Sequence, residues 1–430
     1  MLKYVKSKVG EHMKALLINT SMSDDFGSFD ELEHLAISAN YEVELKIVQN
    51  IKSINRSFFV GKGKINDIQQ EISKYQIETL IFNNDLTPLQ YRNLTDCFNI
   101  KILDRSSLIL EIFELRAHSK EAKLQVEIAK LNYLLPRLAL KEKNLEQQTG
   151  GGVHNRGKGE KQIDIDRFKI KNKISKINQE LIKIEKQKEI ERKNRQKSEL
   201  PIVALVGYTN AGKSTLMNAF LTLYSESNEN KKVLEKDELF ATLDTSVRKI
   251  TLEDNKKFLL VDTVGFISNL PHHLIKAFRS TLKEVLNADL ILNVVDISQT
   301  EFLNQILITS NTLLEIGVKN KPLIYVFNKA EISSLYLENK IEKNEGIVFV
   351  SAKNLLNINE LVKEIKKRLF TNYLKCKMFF SYDMGKDISY LNDNAKIIER
   401  KNTDAGVFLT LECNSKDYKK YLDHVWVDKN

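Results

Sequence analysis

The 430-residue sequence lacks several features that secreted and membrane proteins need. Its three cysteines, Cys97, Cys376 and Cys413, are far apart in the chain and form neither a metal-ligand pair nor a disulfide framework. No apolar run reaches the roughly 18 residues that a membrane-spanning helix needs. The N-terminal residues also lack the apolar core and small-residue cleavage site of a secretory signal. We therefore expect a cytoplasmic protein with reduced thiols and no integral membrane segment.

Glycine is scarce as well, with 16 residues in the chain, and five of them lie in GGGVHNRGKGE at 150–160. A second glycine-bearing loop, GYTNAGKS, occupies 207–214. Glycine-rich loops often bind phosphate through backbone N–H groups. Only the second loop follows a buried apolar strand and opens a helix with Lys-Ser, so only this loop meets the requirements of a P-loop.

The positive charge is concentrated in one segment. The net charge is +9, and residues 101–200 contain 24 Lys and Arg against 15 Asp and Glu. Residues 1–100 have a net charge of −2 and residues 201–430 of +2. A localised basic segment indicates contact with a polyanion such as nucleic acid, although a solvated lysine-rich helical face would give the same composition.

The first hundred residues alternate between strand-like and helix-like patterns. Strands are predicted at 15–20, 41–49, 78–83 and 100–104, and helices at 31–40, 65–76 and 88–97. Alternating elements of this length predict a small α/β domain, at 1–105, with a largely parallel sheet.

Two long helices follow. Apolar residues recur at three- and four-residue steps through 107–147, where Pro136 is expected to kink or break the helix. A second helix is predicted at 164–197, and from Arg167 to Lys197 it contains 12 basic and four acidic residues. We expect an antiparallel hairpin over 106–199, with the glycine-rich loop at its tip.

Residues 202–220, IVALVGYTNAGKSTLMNAF, contain GxxxxGKS between a strand and a helix, as a P-loop requires. The loop amides are expected to surround the β-phosphate, Lys213 to neutralise the β- and γ-phosphate oxygens, and Ser214 to bind Mg²⁺. The predicted nucleotide-binding residues here are Gly207, Tyr208, Thr209, Asn210, Ala211, Gly212, Lys213 and Ser214.

Three further motifs each follow an apolar strand. In DTVG, Asp262 is expected to bind Mg²⁺ through water and the Gly265 amide to contact the γ-phosphate. In NKAE, the Glu331 carboxylate is expected to accept hydrogen bonds from guanine N1–H and N2–H, and Asn328 is expected to contact the other edge of the base. Lys329 is expected to pack over the P-loop. In SAK, the Ala352 backbone is expected to contact guanine O6. Together these motifs predict a GTPase that binds GTP and GDP, through Asp262, Thr263, Val264, Gly265, Asn328, Lys329, Ala330, Glu331, Ser351, Ala352 and Lys353.

The segment between the P-loop and DTVG is predicted to be a switch. Thr242 is the residue expected to close onto Mg²⁺ and the γ-phosphate. The nucleotide-binding residues assigned to it are Phe240, Ala241, Thr242, Leu243 and Asp244. The predicted metal ligands are therefore Ser214 and Thr242, and the predicted catalytic residues are Lys213, Thr242 and Gly265.

Three positions depart from or refine the usual GTPase pattern. Glu331 stands where most GTPases have Asp, which leaves the use of adenine nucleotides open. Phe266 stands where many small GTPases have a water-orienting Gln, which predicts slow intrinsic hydrolysis. Asn210 either stabilises the loop or helps to hold K⁺ between the phosphates, as in potassium-stimulated GTPases. The second alternative predicts faster turnover in potassium than in sodium.

The series of motifs resembles the HflX family of translational GTPases. Further similar segments are FVGKGK at 59–64, the helical stretch 104–138, the glycine-rich stretch 150–167, FATLDTSVR at 240–248 and 262–282. The resemblance implies a GTPase that binds the large ribosomal subunit and splits stalled or idle ribosomes, with the hairpin contacting ribosomal RNA. The family usually has Gly-Thr-Arg-Gly-Pro-Gly-Glu where this chain has HNRGKGE.

The expected fold is α/β: an N-terminal α/β domain, the hairpin, a P-loop GTPase domain at 200–372 and a small α+β domain at 373–430. The first hypothesis is a monomeric, ribosome-associated GTPase. The alternative is a GTP-regulated scaffold that docks a protein partner through the hairpin. A third, an RNA-modifying or RNA-remodelling enzyme that uses the N-terminal domain, lacks support because no nucleophile or metal cluster in 1–105 points to it.

Overall fold

The computed structural model describes residues 13–21, 27–50, 54–138, 158–197, 200–224, 240, 245–268, 284–333 and 345–426. These residues form two compact units. The first contains the described residues up to Ile190 together with Phe240, and the second contains the rest. None of the helices in the described ranges is long and apolar enough to cross a lipid bilayer.

The first unit contains a four-stranded sheet in the order β2-β1-β3-β4, with every neighbouring pair parallel. The predicted alternation and parallel pairing are thus confirmed. Buried aliphatic and aromatic residues of the strands and α2 and α3 form its core. The elements are β1 (Met13–Ser21), α1 (Gly27–Ser38), β2 (Tyr41–Asn50), α2 (Lys62–Tyr75), β3 (Thr79–Phe82), α3 (Pro88–Phe98) and β4 (Lys101–Leu103).

The helical stretch after β4 differs from the prediction. The expected single helix is two helices, α4 (Arg105–Arg116) and α5 (Lys120–Leu138). They separate before Ser119, whose hydroxyl accepts the Ala122 amide at 3.0 Å and so begins a new helix. The apolar periodicity hides this break because α4 and α5 both bury apolar residues on their inner faces.

Pro136 lies inside α5, which the structure describes as far as Leu138, so the helix does not break at the proline itself. The kink expected there stays a prediction. The next residue, Arg137, is held by the buried Asp104 carboxylate at 2.7 Å and by the Leu86 carbonyl at 3.1 Å. Tyr133 donates to the same carboxylate at 2.8 Å. These tertiary contacts hold the last turn of α5 in place although Pro136 supplies no backbone N–H donor.

The basic helix, α6 (Lys158–Lys197), is 40 residues long and begins six residues before its predicted start. Three ion pairs join α5 to α6: Lys120–Glu180, at 3.2 Å, Glu121–Lys188 and Glu127–Lys173. Lys120 and Glu121, at the start of α5, pair with Glu180 and Lys188, whereas Glu127, further along α5, pairs with Lys173, earlier in α6. The two helices therefore run in opposite directions. The residues of the glycine-rich stretch before Lys158 lie outside the described ranges.

The second unit begins with a six-stranded sheet in the order β10-β9-β8-β5-β7-β6. All neighbours are parallel except β6 and β7. Its apolar core includes residues of α7 and α9. The elements are β5 (Ile202–Gly207), α7 (Lys213–Tyr224), β6 (Ser246–Thr251), β7 (Lys257–Asp262), β8 (Leu290–Asp296), α8 (Phe302–Glu315), β9 (Leu323–Asn328), β10 (Ile347–Phe349) and α9 (Ile358–Leu369).

The last part of the second unit is an antiparallel three-stranded sheet, in the order β11-β13-β12, with two helices. It brings Cys376 and Cys413 onto neighbouring strands, and both remain free thiols. The pKa of the Cys413 thiol is raised: the hydrogen bond with Cys376 is the largest cause, and burial is the next. The elements are β11 (Tyr373–Phe380), α10 (Gly385–Asn394), β12 (Lys396–Thr403), β13 (Gly406–Asn414) and α11 (Ser415–Lys420).

The turn between β6 and β7 contacts this small sheet. Lys256 forms an ion pair with Glu412 at 2.8 Å, and the Asn255 side chain donates to the carbonyl oxygens of Asn392 and Ala395 at 2.7 and 3.0 Å. Asp254 binds Lys366 of α9 at 2.8 Å. The hairpin whose second strand ends at Asp262 is therefore tied to the C-terminal part of the chain.

Candidate nucleotide-binding site

Two glycines allow the P-loop to follow its path after β5. Gly207 has a φ of +144°, and a Cβ there would lie 2.1 Å from the Val294 carbonyl oxygen. Gly212 has a φ of +90°, and its Cβ would lie 2.2 Å from the Asn328 side-chain nitrogen. Because any side chain would collide at either position, the GxxxxG spacing follows from steric requirements as well as from phosphate binding.

Lys213, the first residue of α7, is almost completely buried. Its Nζ donates to the carbonyl oxygens of Gly207 at 3.1 Å and Tyr208 at 2.7 Å. Burial lowers the pKa of Lys213 to about 8, against the opposing effect of Asp262. A negative phosphate group beside Nζ would favour its charged form. This buried ammonium is therefore suited to bind an anion.

Ser214 and the first residue of DTVG are in direct contact. The Ser214 hydroxyl donates to the Asp262 Oδ2 at 2.7 Å, and Asp262 is fully buried at the end of β7. The next residue, Thr263, donates to the Leu205 carbonyl at 2.7 Å and so fixes the loop to β5. Mg²⁺ prefers oxygen ligands, and here a hydroxyl and a carboxylate oxygen lie next to each other.

Gly265 brings the DTVG loop close to the P-loop. A Cβ on Gly265 would lie 2.9 Å from the Thr209 Cα and 3.0 Å from the Lys213 Nζ. The loops are also joined through Phe266, whose carbonyl accepts the Thr209 amide at 2.7 Å and whose amide donates to the Gly207 carbonyl at 3.1 Å. The structure thus brings together the two motifs that the sequence assigned to the phosphates.

Asn328, at the end of β9, braces the site. Its Nδ2 donates to the Ala211 carbonyl of the P-loop at 2.9 Å, and its Oδ1 accepts the Ala352 amide of SAK at 3.0 Å. Both side-chain polar atoms of Asn328 are therefore used to hold two loops together. Its predicted contact with the guanine edge remains a prediction.

Sequence reasoning missed the partner of Lys329. Its Nζ binds the Asp296 Oδ2 at 2.7 Å, and Asp296 is buried at the end of β8. The backbone at Lys329 is left-handed, with a φ of 60°. In the sequence, Asp296 is visible only as an acidic residue at the end of an apolar strand, and this pattern does not predict that it pairs with Lys329.

Glu331 and Thr209 each place a buried polar atom in the loops of the site. Within the described ranges, neither Glu331 Oε2 nor Thr209 Oγ1 finds a hydrogen-bond partner. Because a buried polar atom without a partner is costly, a ligand with matching N–H or O–H groups would relieve that cost. The residues present therefore fit a ligand that donates hydrogen bonds to a carboxylate.

The predicted switch segment is only partly described. Ala241 to Asp244, including Thr242, lie outside the described ranges. Phe240 is buried, and its ring packs edge-on against Phe113 of α4 with the centroids 4.7 Å apart. The role assigned to Phe240 at the nucleotide remains a prediction. No cluster of three or more His, Cys, Asp or Glu side chains suited to a metal occurs in the described part.

The motifs meet at one edge of the sheet, where β5, β7, β8 and β9 end at Gly207, Asp262, Asp296 and Asn328. Ligands of open parallel sheets bind at this carboxyl edge. A parallel sheet with a P-loop, DTVG, NKAE and SAK in this arrangement defines the class of P-loop GTPases.

Comparison with known proteins gives the particular family. The chain matches the models of a GTP-binding GTPase N-terminal region at 27–114, a GTP-binding GTPase middle region at 116–195 and a 50S ribosome-binding GTPase at 202–329. It belongs to the HflX family and is a GTP-hydrolysing enzyme.

Several relatives carry the description GTPase HflX, and three of them show the extent of the similarity. The protein of Caldanaerobacter subterraneus subsp. tengcongensis is 38% identical over 92% of this chain and 90% of its own. That of Lacrimispora saccharolytica is 34% identical over 97% of each chain. That of Escherichia coli is 36% identical over 84% of this chain and 83% of its own.

Proposed function

We propose that GTP lies along the carboxyl edge of the six-stranded sheet, with its phosphates on the P-loop and its base between NKAE and SAK. The ammonium of Lys213 would exchange its two backbone carbonyl partners for β- and γ-phosphate oxygens. The buried Oε2 of Glu331 would accept an N–H of guanine. The placement of Lys213 beside Gly265 is the observation that supports hydrolysis at this site most directly.

We propose that Ser214 and Asp262 hold Mg²⁺, the former directly and the latter through water, with Thr242 as the ligand from the switch. When bound, the ion would neutralise charge on the phosphates. The Ser214 hydroxyl donates its hydrogen to Asp262, which leaves the lone pairs of its oxygen available to the ion.

Hydrolysis is proposed to be slow in the isolated protein. The residue after DTVG, Phe266, is buried and pairs through its backbone with the P-loop. A phenylalanine side chain there cannot orient the attacking water, which is the role of Gln in many GTPases. A partner that completes the site would therefore accelerate hydrolysis.

We propose that this partner is the large ribosomal subunit and that the protein splits stalled or idle ribosomes, in the cytoplasm and as a monomer. Support comes from α6, where Lys171, Lys176, Lys183 and Lys186 are exposed. A helix of 40 residues is about 60 Å long, enough to reach deep into a cleft. Phosphate contacts made by these lysines would supply affinity for ribosomal RNA.

The proposed domains are 1–105, the hairpin 106–199, the GTPase domain 200–372 and 373–430. Nucleotide state would reach the hairpin through the switch. Phe240 precedes Thr242 by two residues and packs on Phe113 of α4, while the residues from Thr245 onward belong to the second unit. Ordering of Thr242 by GTP would therefore act on a segment that belongs to the same unit as α6 up to Ile190.

Co-sedimentation tests the ribosomal function. The protein with a non-hydrolysable GTP analogue should pellet with large subunits at moderate salt, and with GTP it should reduce the light scattering of intact ribosomes. Reversing the charges of Lys171 and Lys176 to Glu should weaken pelleting and leave GTP affinity unchanged. Reversal of Lys319 and Lys363, exposed lysines of the second unit, is the control. Loss of GTP affinity in the α6 variant, or pelleting at wild-type levels, would contradict the proposal.

The backbone conformation gives a second reason for an asparagine at position 210, besides binding of K⁺. Asn210 has a φ of 60°, a left-handed conformation that favours Asn or Gly, so the loop alone explains its presence. If the amide also binds K⁺, turnover in potassium should exceed turnover in sodium. Asn210→Gly keeps the backbone conformation and removes the amide, so it should abolish the difference. Equal rates in both salts for the wild type, or a difference that survives in the glycine variant, would refute a cation-binding role.

A further inference from the structure

The helices α10 and α11 pack on one face of the C-terminal sheet. Val407, Leu409 and Leu411 of β13 point into the core with α10 and α11. Because side chains alternate along a strand, Phe408, Thr410 and Glu412 point to the opposite face. On β11 the same alternation places Lys375, Lys377 and Phe379 there.

Three aromatic rings lie together on this face, and we call Phe379, Phe408 and Trp426 the aromatic platform. Phe379 and Phe408 are paired across β11 and β13, with centroids 4.8 Å apart. Trp426 lies beside β11, held by its amide to the Lys377 carbonyl at 2.7 Å, and its ring is 5.1 Å from Phe408. Trp426 is 47% exposed and Phe379 and Phe408 are half-buried, so the Trp426 ring is the part of the platform open to a planar ligand.

Lysines surround the platform. Lys377 lies over the Phe408 ring, with Nζ 5.4 Å from the centroid. Lys401 of β12 pairs with Phe408 on its other side, and Lys401 and Lys375 are both exposed. Strand alternation places two carboxylates of the described strands on this face: Glu412, which forms an ion pair with Lys256 at 2.8 Å, and Glu399, which pairs with Thr410. The face is therefore aromatic at its centre and positive at its rim.

The turn between β6 and β7 occupies only one end of the sheet. Lys256 contacts Glu412 and lies 4.8 Å from the Tyr373 ring centroid, and Tyr373 pairs with Asn414 at the opposite end of β11 from Phe379. The rings of the platform thus lie away from the turn and are not needed to attach the sheet to it.

We propose that the aromatic platform binds unpaired nucleotides of RNA, with a base stacked on the exposed Trp426 ring, which packs on Phe408, and phosphates on Lys375, Lys377 and Lys401. Base stacking needs exposed rings of the right spacing, and the phosphates between successive bases need cations at the rim. A duplex has no free base faces, so it is not a ligand for this surface. This site is separate from α6 and goes beyond the ribosomal function proposed above.

The single tryptophan of the chain tests the proposal directly, because Trp426 is itself in the platform. Titration of the full-length protein with an oligouridylate of about eight nucleotides should quench its emission, and a blunt RNA duplex at the same concentration should not. Phe408→Leu, with folding checked by circular dichroism, should weaken the single-strand affinity roughly fivefold or more.

A lysine pair gives a second test that keeps all three aromatic rings. Lys377→Ala with Lys401→Ala should reduce the slope of log affinity against log salt by about 1.4. Lys386→Ala with Lys419→Ala removes the same charge from the helices behind the sheet and should change nothing. The α6 charge reversals should also leave the quenching intact, which separates this site from the hairpin. Equal quenching by duplex, or identical affinities in the platform and control variants, would overturn the proposal.

Discussion

Replacing Lys213 with methionine is expected to slow GTP hydrolysis by roughly 10²–10³-fold, the cost of removing one preorganised group that stabilises transition-state charge. The ammonium is buried beside Gly265 and held by the Gly207 and Tyr208 carbonyls. Burial has already lowered its pKa to about 8, so much of its hydration is lost before any ligand arrives. The phosphate charge of GTP would therefore interact strongly with the Lys213 ammonium in the ground state, and more strongly as negative charge develops in the transition state.

Single-turnover hydrolysis, measured with and without large subunits, tests this prediction. Methionine keeps the length of the side chain and removes its charge, and Lys249→Met, at an exposed position of β6, is the matched control. The Lys213 variant should also bind GTP more weakly, while the control keeps both properties. A Lys213 variant that retains a tenth or more of the wild-type rate would mean that another group neutralises the phosphates.

Local patterns predicted most of the fold because strands and helices that bury one face repeat apolar residues at fixed steps. The differences arose where tertiary contacts act. Pro136 lies within a helix whose next residue, Arg137, is held by Asp104 and the Leu86 carbonyl. The break before α5 depends on the Ser119 cap, a single residue within an unbroken apolar pattern.

At the site, sequence motifs predicted which residues come together but not how they hold each other. Asn328 and Ala211 are 117 positions apart and bind directly, and Lys329 binds Asp296, which no motif marks. The aromatic platform was invisible for the same reason, since only the pairing of β11 with β13 places Phe379 beside Phe408. Contacts between distant positions depend on the register in which strands pair, and the pattern of a single sequence does not give that register.

Glu331 is expected to determine the choice of base. Glu331→Gln should weaken GTP binding by about 10²-fold or more, because two hydrogen bonds to a carboxylate contribute about 1.5–3 kcal/mol each. The amide of Gln offers one acceptor oxygen and also an N–H group that faces the donors of guanine. ATP affinity should change little, since adenine presents no pair of donors there. The buried Oε2 without a partner in the described part is the atom on which this expectation depends.

Competition binding with GTP, ATP and xanthosine triphosphate measures the effect. Xanthine carries an oxygen where guanine carries its amino group, so the Gln variant should gain affinity for xanthosine triphosphate as it loses affinity for GTP. Glu331→Asp keeps the carboxylate and is the matched control, with guanine preference retained at the shorter reach. Wild-type GTP affinity in the Gln variant would exclude Glu331 from base recognition and leave the discrimination to SAK and Asn328. A parallel loss for ATP and GTP would instead indicate that Glu331 supports the loop, because only a group that contacts the base separates the two nucleotides.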